Sequence, residues 1–434
     1  MGAGPEAAGG AAATARPRVR YRDVLRNREF AAVFASQGLS LLGDQLTRIA
    51  LALLVFERTR SPFAVSCTFA VSYLAYLVGG PLLSGLADRH PRLTVMVVCD
   101  LLRAPAVLLL CIEGMPLWTV FAVVVVVAAL APPFDSARGA LQPDLLSGEA
   151  YVVGNALLSI TGQLAQVLGF VLGGALVAAT SVSGALALDA STFLVSAGLL
   201  LLAVRQRPAA LSREQRESLL RGTADAVRLV LGTPVLRQLL ALSVLASAAV
   251  IGTEGLAVAV ADVLHGGAVE AGLLTAAGPA GFLLGSVLVL RASPDRRQAL
   301  LPALLLLSCL PLLVSPLLGS TAALLAVWVL AGVGSSLNLV TGPRFMQLLP
   351  HAQRGRGYGL AGAMLMVGQG TGLVLAGLLA NAVDPRTAVA ALAAACLLLG
   401  VPLLRAEATR PEGGTTAATL AERTGAQGTG ATGR

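Results

Sequence analysis

The chain has 434 residues, of which 56% are hydrophobic and 12% are charged, and its mean hydropathy is +0.79. Because a soluble domain normally carries about 25% charged residues, the composition excludes an ordinary soluble enzyme and a disordered chain. The apolar residues also come in runs of roughly 20, the length that a transmembrane helix needs. The sequence therefore predicts a polytopic helical membrane protein.

The charged and metal-binding residue types exclude several chemistries. All 31 positive charges are arginines, because the chain contains no lysine, which excludes a Walker A phosphate loop and Schiff-base catalysis. The five cysteines form no CxxC pair and there are only three histidines, so we predict no metal site. We expect no cofactor and no enzyme activity. The arginines lie in membrane loops, so the net charge of +8 does not indicate nucleic-acid binding.

Twelve apolar stretches divide the chain into two groups of six. They are 30–56, 63–86, 93–112, 116–134, 152–179, 183–204, 238–260, 271–290, 299–318, 321–340, 358–382 and 386–404. This division predicts a cytoplasmic tail (1–29), a six-helix bundle (30–204), a cytoplasmic central loop (205–237), a second bundle (238–405) and a disordered cytoplasmic tail (406–434). The fold class is an all-α membrane protein with twelve transmembrane helices.

The distribution of arginine predicts the orientation. If the N-terminus is inside, only Arg58, Arg60 and Arg386 lie outside, and Arg48 and Arg103 lie within spans. The remaining arginines fall in the tails and the even-numbered loops, as the positive-inside rule requires. We predict a multi-pass protein of the inner (plasma) membrane with both termini cytoplasmic. The first 29 residues contain no apolar segment typical of a cleaved signal peptide.

The two halves share short sequence matches. Gln166-Val-Leu-Gly in span 5 matches Gln369-Gly-Thr-Gly in span 11, and Gly43-Asp44 in span 1 matches Gly252-Thr-Glu254 in span 7. Matches in register across the half-length indicate an internal repeat. Parallel six-helix repeats about an axis along the membrane normal are typical of one class of transporter.

The loop between spans 2 and 3 carries the most specific motif. Ser84-Gly-Leu-Ala-Asp-Arg-His-Pro-Arg92 resembles the signature loop of the major facilitator superfamily, with Pro91 where the family usually has glycine. Further stretches resemble its branch of bacterial macrolide-efflux and siderophore-exporting permeases: Gly43-Asp-Gln-Leu-Thr-Arg48, Cys99-Asp-Leu-Leu-Arg-Ala104 and Ala137-Arg-Gly-Ala-Leu-Gln-Pro-Asp144. The resemblance implies the major facilitator fold, with two pseudo-symmetric bundles and spans 1, 4, 7 and 10 around a central cavity.

Charged residues within spans are costly, so each is a functional hypothesis. Asp44 and Arg48 share a face of span 1 at i, i+4 and can pair. The pair is either a proton-coupling site or a structural ion pair that fixes helix packing. Glu254, the equivalent acid on span 7, has no basic residue within one helical turn. We predict Asp44, Arg48 and Glu254 as proton-coupling residues. Alternatively, Glu254 is a solvent-exposed acid near the outer membrane interface.

A second group of charges lies near the cytoplasmic ends of spans 2 to 4. The resemblance implies that the loop aspartate, Asp88, meets the start of span 11 near 357–359 and closes the cytoplasmic side. It further implies a network with charges on spans 3 and 4. The predicted gating residues are Asp88, Arg89, Arg92, Asp100, Arg103 and Arg138. For Asp189 on span 6 we predict a structural role.

Polar and aromatic side chains on spans 4, 5 and 10 are predicted to contact the substrate. They are Phe121, Gln163, Gln166, Trp328 and Asn338. A cavity with aromatic walls and few hydrogen-bonding groups is typical of sites for bulky amphipathic ligands. Trp328 is alternatively a residue of the interfacial aromatic belt.

These features together predict a secondary transporter that exports a hydrophobic or amphipathic small molecule, such as a drug, an antibiotic or a siderophore-like compound. Proton-coupled alternating access would drive the export. The partners are the substrate, protons and the lipid bilayer, and the expected assembly is a monomer. The alternatives are an importer or facilitator of the same fold, a lipid flippase and a transport-silent binding protein.

Overall fold

The computed structural model describes residues 20–207, 228–350 and 354–408. Within its helices, the side chains of 78–89, 294–295, 355–356 and 407–408 are not described. Much of both predicted tails and of the central loop lies outside the described residues. The described part is built from helices and contains no strand.

In the described part of the chain, twelve helices follow the twelve apolar stretches. They are α1 Arg28–Thr59, α2 Pro62–Arg89, α3 Arg92–Leu109, α4 Leu117–Leu145, α5 Gly148–Ala179, α6 Val182–Ala203, α7 Pro234–Val263, α8 Ala268–Arg291, α9 Leu301–Leu313, α10 Thr321–Leu348, α11 Arg354–Ala380 and α12 Pro385–Ala408. Short helices at Tyr21–Leu25 and Pro294–Ala299 precede α1 and α9.

Ten helices in the described part are long and apolar enough to cross a membrane. Two of the predicted spans fall outside that count. The apolar part of α2 that is described is Pro62–Leu77, and α3 carries three charged residues: Arg92, Asp100 and Arg103. The helical membrane fold is therefore confirmed, whereas the number of twelve transmembrane helices stays a prediction.

Several helices are longer than the apolar stretch that predicts them. The helix α4 continues after Leu130 as Ala131–Leu145, and α10 continues as Asn338–Leu348. At 1.5 Å per residue, the 29-residue helix α4 exceeds the ~30 Å hydrocarbon core. Its polar end therefore extends beyond the apolar run by which hydropathy recognises a span.

The helices form two bundles with equivalent packing. In the first half, α1 packs against α5 and α6, and in the second half α7 packs against α11 and α12. The two bundles meet where α2 packs on α11 and α5 packs on α8. Glycines make the equivalent contacts close: a Cβ on Gly169 would lie 3.1 Å from the Leu42 carbonyl oxygen, and one on Gly372 would lie 2.9 Å from that of Ala248.

The halves are joined at one end of the molecule. We call this end the odd face, because it holds the loops after the odd-numbered helices, and the opposite end the even face. At the odd face Arg60 pairs with Asp262 at 3.1 Å, and the Ser61 hydroxyl donates to Asn381 Oδ1 at 3.3 Å. The α5–α8 contact is also at this end, where a Cβ on Gly174 would lie 2.3 Å from the Ala268 carbonyl oxygen.

The apolar core shows the same asymmetry. Among the clusters formed by described residues, the one that combines both halves contains Ile49, Phe69, Phe170 and residues 256–261, which lie in the odd-face part of their helices. The clusters near the even face each belong to one half. The bundles therefore separate toward the even face, and the space between them opens in that direction.

Candidate functional site

A first chamber of about 240 Å³ lies in the N-terminal half, next to the interface with the C-terminal half. Met366 of α11 contributes to its wall. Much of its wall is apolar, and the chemistry-bearing residues come from α1, α2 and α3. These residues are Asp44, Arg48, Phe69, Tyr73, Tyr76 and Arg103.

Arg48 does not form the predicted ion pair with Asp44. Its Nη1 donates to Gln45 Oε1 at 3.3 Å, and its guanidinium lies over the rings of Phe69 and Tyr73, at 5.2 and 5.7 Å from their centroids. Both Asp44 and Arg48 are described, and no N–O distance between them is within 4.0 Å. The i, i+4 spacing puts them on one face, but the long arginine side chain extends to the aromatic pair instead.

Asp44 interacts electrostatically with Arg103 of α3, which is 2% exposed and lines the same chamber. Arg103 also interacts electrostatically with Asp135 of α4. Asp135 accepts a hydrogen bond from the Tyr76 hydroxyl and pairs with Arg138 at 3.0 Å. Asp44, Arg103, Asp135 and Arg138 therefore form a group of alternating charges between the chamber and the even face, in which Asp135 and Arg138 are a direct ion pair and the other charges interact over a longer distance.

The remaining predicted gating residues have other partners. Arg92 pairs with Asp144 at the end of α4. Asp100 is fully buried and accepts from the Ser196 hydroxyl at 2.5 Å rather than pairing with Arg103. The side chains of Asp88 and Arg89 lie outside the described residues. The described contacts therefore form separate pairs and the group of charges around Arg103, and the network that includes Asp88 stays a prediction.

Asp189 lies against α1 beside Asp44. Its carboxylate accepts from Thr47 Oγ1 at 2.5 Å and from Thr192 Oγ1 at 3.2 Å. A Cβ on Gly43 would lie 2.1 Å from Asp189 Oδ1, so the glycine before Asp44 is what admits this carboxylate. The arrangement is that of a buried, hydrogen-bonded packing residue, as the predicted structural role would require.

A second chamber of about 210 Å³ lies between the halves and shares Tyr73 with the first. Polar side chains from both halves line it. They are Gln163, Gln166, Ser247, Glu254, Ser335, Asn338 and Gln369. Glu254 is 3% exposed, and its Oε2 atom has no hydrogen-bond partner. A buried carboxyl group in this position is costly to ionise unless a cation compensates its charge, and binding a proton removes that charge.

Arg48 is the charged group that interacts with Glu254 across the interface between the halves. Glu254 has no basic neighbour on its own helix, and the partner comes from α1 of the other bundle. Arg48 therefore stands between two acids, Asp44 one turn away on α1 and Glu254 on α7. The two pseudo-symmetric acids line adjoining chambers, Asp44 the first and Glu254 the second.

The predicted substrate-contacting residues divide into two groups. Gln163, Gln166 and Asn338 line the second chamber. Trp328 is fully buried in the core, where its Nε1 donates to Ser315 Oγ at 3.2 Å, and Phe121 is half-buried on α4 outside both chamber walls. Aromatic residue type did not distinguish core packing from cavity lining.

Several residues of the site were missed at the sequence level, among them Ser247, Gln369 and Asp135. Gln369 lines the second chamber, and its position as the repeat equivalent of Gln166 was the available signal. Asp135 lies just beyond the predicted end of span 4, and its i, i+3 spacing from Arg138 was the only hint. In the described part of the chain, no group of three or more His, Cys, Asp or Glu residues is arranged to hold a metal ion.

Comparison with known proteins identifies the family. The Major Facilitator Superfamily profile matches residues 33–347 and 255–428. The chain belongs to the major facilitator superfamily and is a membrane transporter rather than an enzyme.

Curated relatives include transporters and exporters. The chain is 30% identical to the uncharacterized MFS-type transporter YfiS of Bacillus subtilis, over 39% of this chain and 40% of the relative. It is 29% identical to Macrolide efflux protein A of Streptococcus pyogenes, over 28% and 31%. The chain thus matches less than half the length of these two proteins. It is 28% identical to the enterobactin exporter EntS of Shigella boydii, over 86% and 91%.

Solved structures share the fold at low identity. The nucleoside transporter NupG superposes with a TM-score of 0.68 at 14% identity, covering 87% of this chain and 98% of that one. A bacterial homologue of the iron transporter ferroportin in an inward-facing state has a TM-score of 0.66 at 18% identity, with coverage of 88% and 99%. These matches support the fold alone.

Proposed function

We propose that the chain exports a hydrophobic or amphipathic small molecule in exchange for protons, by alternating access, with Glu254 as the main coupling residue. The even face is then cytoplasmic, as the arginine distribution predicts, and the chambers open to the cytoplasm. The protein resides in the inner membrane. Export is further supported by the relatives, since two of the three curated names denote efflux or export.

The observation that carries the coupling role is the environment of Glu254. The carboxylate is buried between the halves, has an unpartnered oxygen and faces a single arginine from the opposite bundle. Movement of the halves relative to each other changes the distance between Glu254 and Arg48. Because Arg48 favours the ionised carboxylate, its approach favours proton release and its withdrawal favours proton uptake.

Asp44 is the second coupling residue in this proposal. It lines the first chamber and faces Arg103 as well as Arg48. Arg103 and Arg48 favour its ionised form, whereas the neighbouring acids Asp135 and Asp189 oppose ionisation.

Everted membrane vesicles test the proposal. Vesicles with the wild-type chain are expected to accumulate at least one compound of a panel that includes macrolides and enterobactin when a pH gradient is applied. Glu254→Gln should abolish this dependence, because the amide cannot bind and release a proton. The matched control is Glu113→Gln, which replaces an exposed acid in the loop after α3. Gradient-driven accumulation that persists in Glu254→Gln vesicles refutes the assignment.

The same vesicles separate the rival functions. An importer or facilitator would move the compound out of everted vesicles or equilibrate it without the gradient. A flippase would translocate labelled lipid, and a transport-silent protein would bind compounds without accumulation.

A further inference from the structure

The short helix Tyr21–Leu25 lies on the even face, next to the start of α1. We call it the arm helix. It packs on α5, and its Val24 is 1% exposed and belongs to the apolar cluster at the even-face end of the first bundle. Between the arm helix and α1, the Asn27 side chain caps α1 and donates to the Leu145 carbonyl oxygen at 2.9 Å. These contacts hold the arm helix in a fixed position on the first bundle.

The exposed surface of the arm helix has an apolar ridge and a basic ridge. Tyr21 and Leu25, spaced i, i+4, are 54% and 37% exposed. Arg22 and Arg26 have the same spacing and are also exposed, and Arg26, the C-cap, keeps helical backbone angles. Because residues four apart are neighbours on a helix surface, Tyr21 and Leu25 form the apolar ridge, and Arg22 and Arg26 form the basic ridge beside it.

The position of the arm helix along α1 corresponds to the level of the lipid headgroups. The apolar stretch of α1 begins at Phe30, and the exposed residues Arg20 and Arg28 lie on either side of the arm helix. Because charged side chains are costly in hydrocarbon, the segment 20–28 stays outside the hydrocarbon core, directly at its boundary. Tyrosine is enriched at this boundary, where its ring is in an apolar environment and its hydroxyl in a polar one.

The acids next to the arm helix have other partners. Asp23 Oδ2 accepts a hydrogen bond from the Arg20 backbone amide at 3.0 Å, and Glu29 pairs with Arg207 at 2.7 Å. Within the described part of the chain, neither arginine of the basic ridge forms an ion pair. The planar guanidinium group matches the geometry of phosphate oxygens, so the basic ridge is complementary to phosphate groups.

We infer that the arm helix is a docking surface for anionic phospholipid, with the lipid phosphate on the basic ridge and the acyl chains against the apolar ridge. A soluble anion would match the arginines but would leave the exposed Tyr21 and Leu25 without a partner. An interfacial helix binds a membrane through both contributions, since apolar burial and attraction to anionic lipid add. The inference concerns a surface outside both chambers, so it is independent of the transported compound and of proton coupling.

A matched pair of lipids tests the inference with purified full-length protein in detergent. Phosphatidylglycerol and phosphatidylcholine with the same acyl chains differ in net charge, and native mass spectrometry resolves each bound lipid and gives its dissociation constant. One arginine near an anionic lipid contributes about fivefold in affinity, so two contribute roughly 25-fold. The wild-type chain is expected to bind its first phosphatidylglycerol more tightly than phosphatidylcholine by about this factor.

Paired substitutions separate the two ridges. Arg22→Gln combined with Arg26→Gln should remove most of the preference for phosphatidylglycerol and leave the affinity for phosphatidylcholine unchanged. Tyr21→Ser combined with Leu25→Ser should weaken the binding of both lipids and keep the preference, because the charges are intact. Cooperative thermal unfolding of each variant shows that it is folded.

The matched control removes the same charge from the even face of the second bundle. Arg291→Gln combined with Arg296→Gln replaces two exposed arginines there and should bind both lipids as the wild type does. An equal loss of preference in this control and in the arm-helix variant means that only the net charge of the even face matters, which overturns the inference.

Three further results overturn the inference. They are equal affinities of the wild type for the two lipids, a preference that survives the loss of the basic ridge, and binding of soluble glycerol 3-phosphate as tight as that of phosphatidylglycerol. The last result would identify a site for soluble anions rather than for lipid. These measurements involve no transport, so refutation of proton coupling in the vesicle assay leaves the lipid-docking surface unaffected.

Discussion

The contact between α5 and α8 predicts how the halves respond to one added methyl group. A Cβ on Gly174 would lie 2.3 Å from the Ala268 carbonyl oxygen and 3.0 Å from the Gly272 Cα atom. These are backbone atoms, so they cannot rotate away as a side chain would. Since ordinary contacts begin near 3.4 Å, Gly174→Ala requires the two helices to separate by about 1 Å in this close-packed interface.

The expected consequence is a shift in the equilibrium between conformations. Overpacking of this kind costs roughly 1–3 kcal/mol, and the cost falls on the state that is closed at the odd face. A state in which the halves separate at the odd face does not have this steric overlap between the added methyl group and α8. Because only differential stabilisation shifts such an equilibrium, the ratio of odd-open to odd-closed molecules should rise by roughly 5- to 150-fold.

Distance measurements between spin labels test this shift. Labels at Glu113→Cys and Gly319→Cys report on loops of the two halves at the odd face, in a chain whose native cysteines are replaced. Gly198→Ala on α6 is the control, because a Cβ there meets nothing within 4 Å. Both alanines gain about the same helix propensity, up to 1 kcal/mol. A distance distribution for Gly174→Ala that equals that of the control refutes the reasoning.

Three further predictions follow from single contacts. Gly43→Ala places a methyl group against Asp189 and should lower the free energy of unfolding by about 1–3 kcal/mol; an unchanged melting temperature in detergent contradicts the packing role of this glycine. Asp88→Asn should raise the inward-open population several-fold by removing a charge–dipole contact of order 1 kcal/mol, and unaltered thiol labelling at the cytoplasmic end of α5 means that Asp88 is a solvated loop charge. The hydrogen bond from Arg386 holds the pKa of Asp384 below its ordinary value of 3.8, so this pair stabilises the fold above that pH and ceases to do so as the pH falls through the lowered value. Asp384→Asn should therefore lower the melting temperature at pH 7 and have no such effect at acid pH. A difference in melting temperature between variant and wild type that is the same at both pH values contradicts the pairing.

Much of the fold follows from patterns along the chain. Apolar runs define the helices, since a helix that crosses a bilayer must be apolar over about 20 residues. Gln166 and Gln369 are equivalent positions of the sequence repeat. This match predicts that α5 and α11 occupy equivalent places in their bundles, because repeats of related sequence pack in the same way. Gln163, Gln166 and Asn338, which the sequence predicts to contact the substrate, line the second chamber, as expected of polar side chains in apolar helices, which seldom face lipid.

Composition and apolar patterning along the chain are sufficient to predict the membrane class, the helical fold and the two related halves, because these depend on residues within single helices. The partners of the buried charges, in contrast, depend on how the helices pack. Asp44 forms no direct ion pair with Arg48 and interacts electrostatically with Arg103 as well as Arg48, and Arg48 also interacts electrostatically with Glu254 of the other half. Spacing along one helix shows which residues share a face, whereas a contact between helices depends on how the bundles pack. That packing also buries Trp328 in the core and leaves Glu254 between the halves with an unpartnered oxygen.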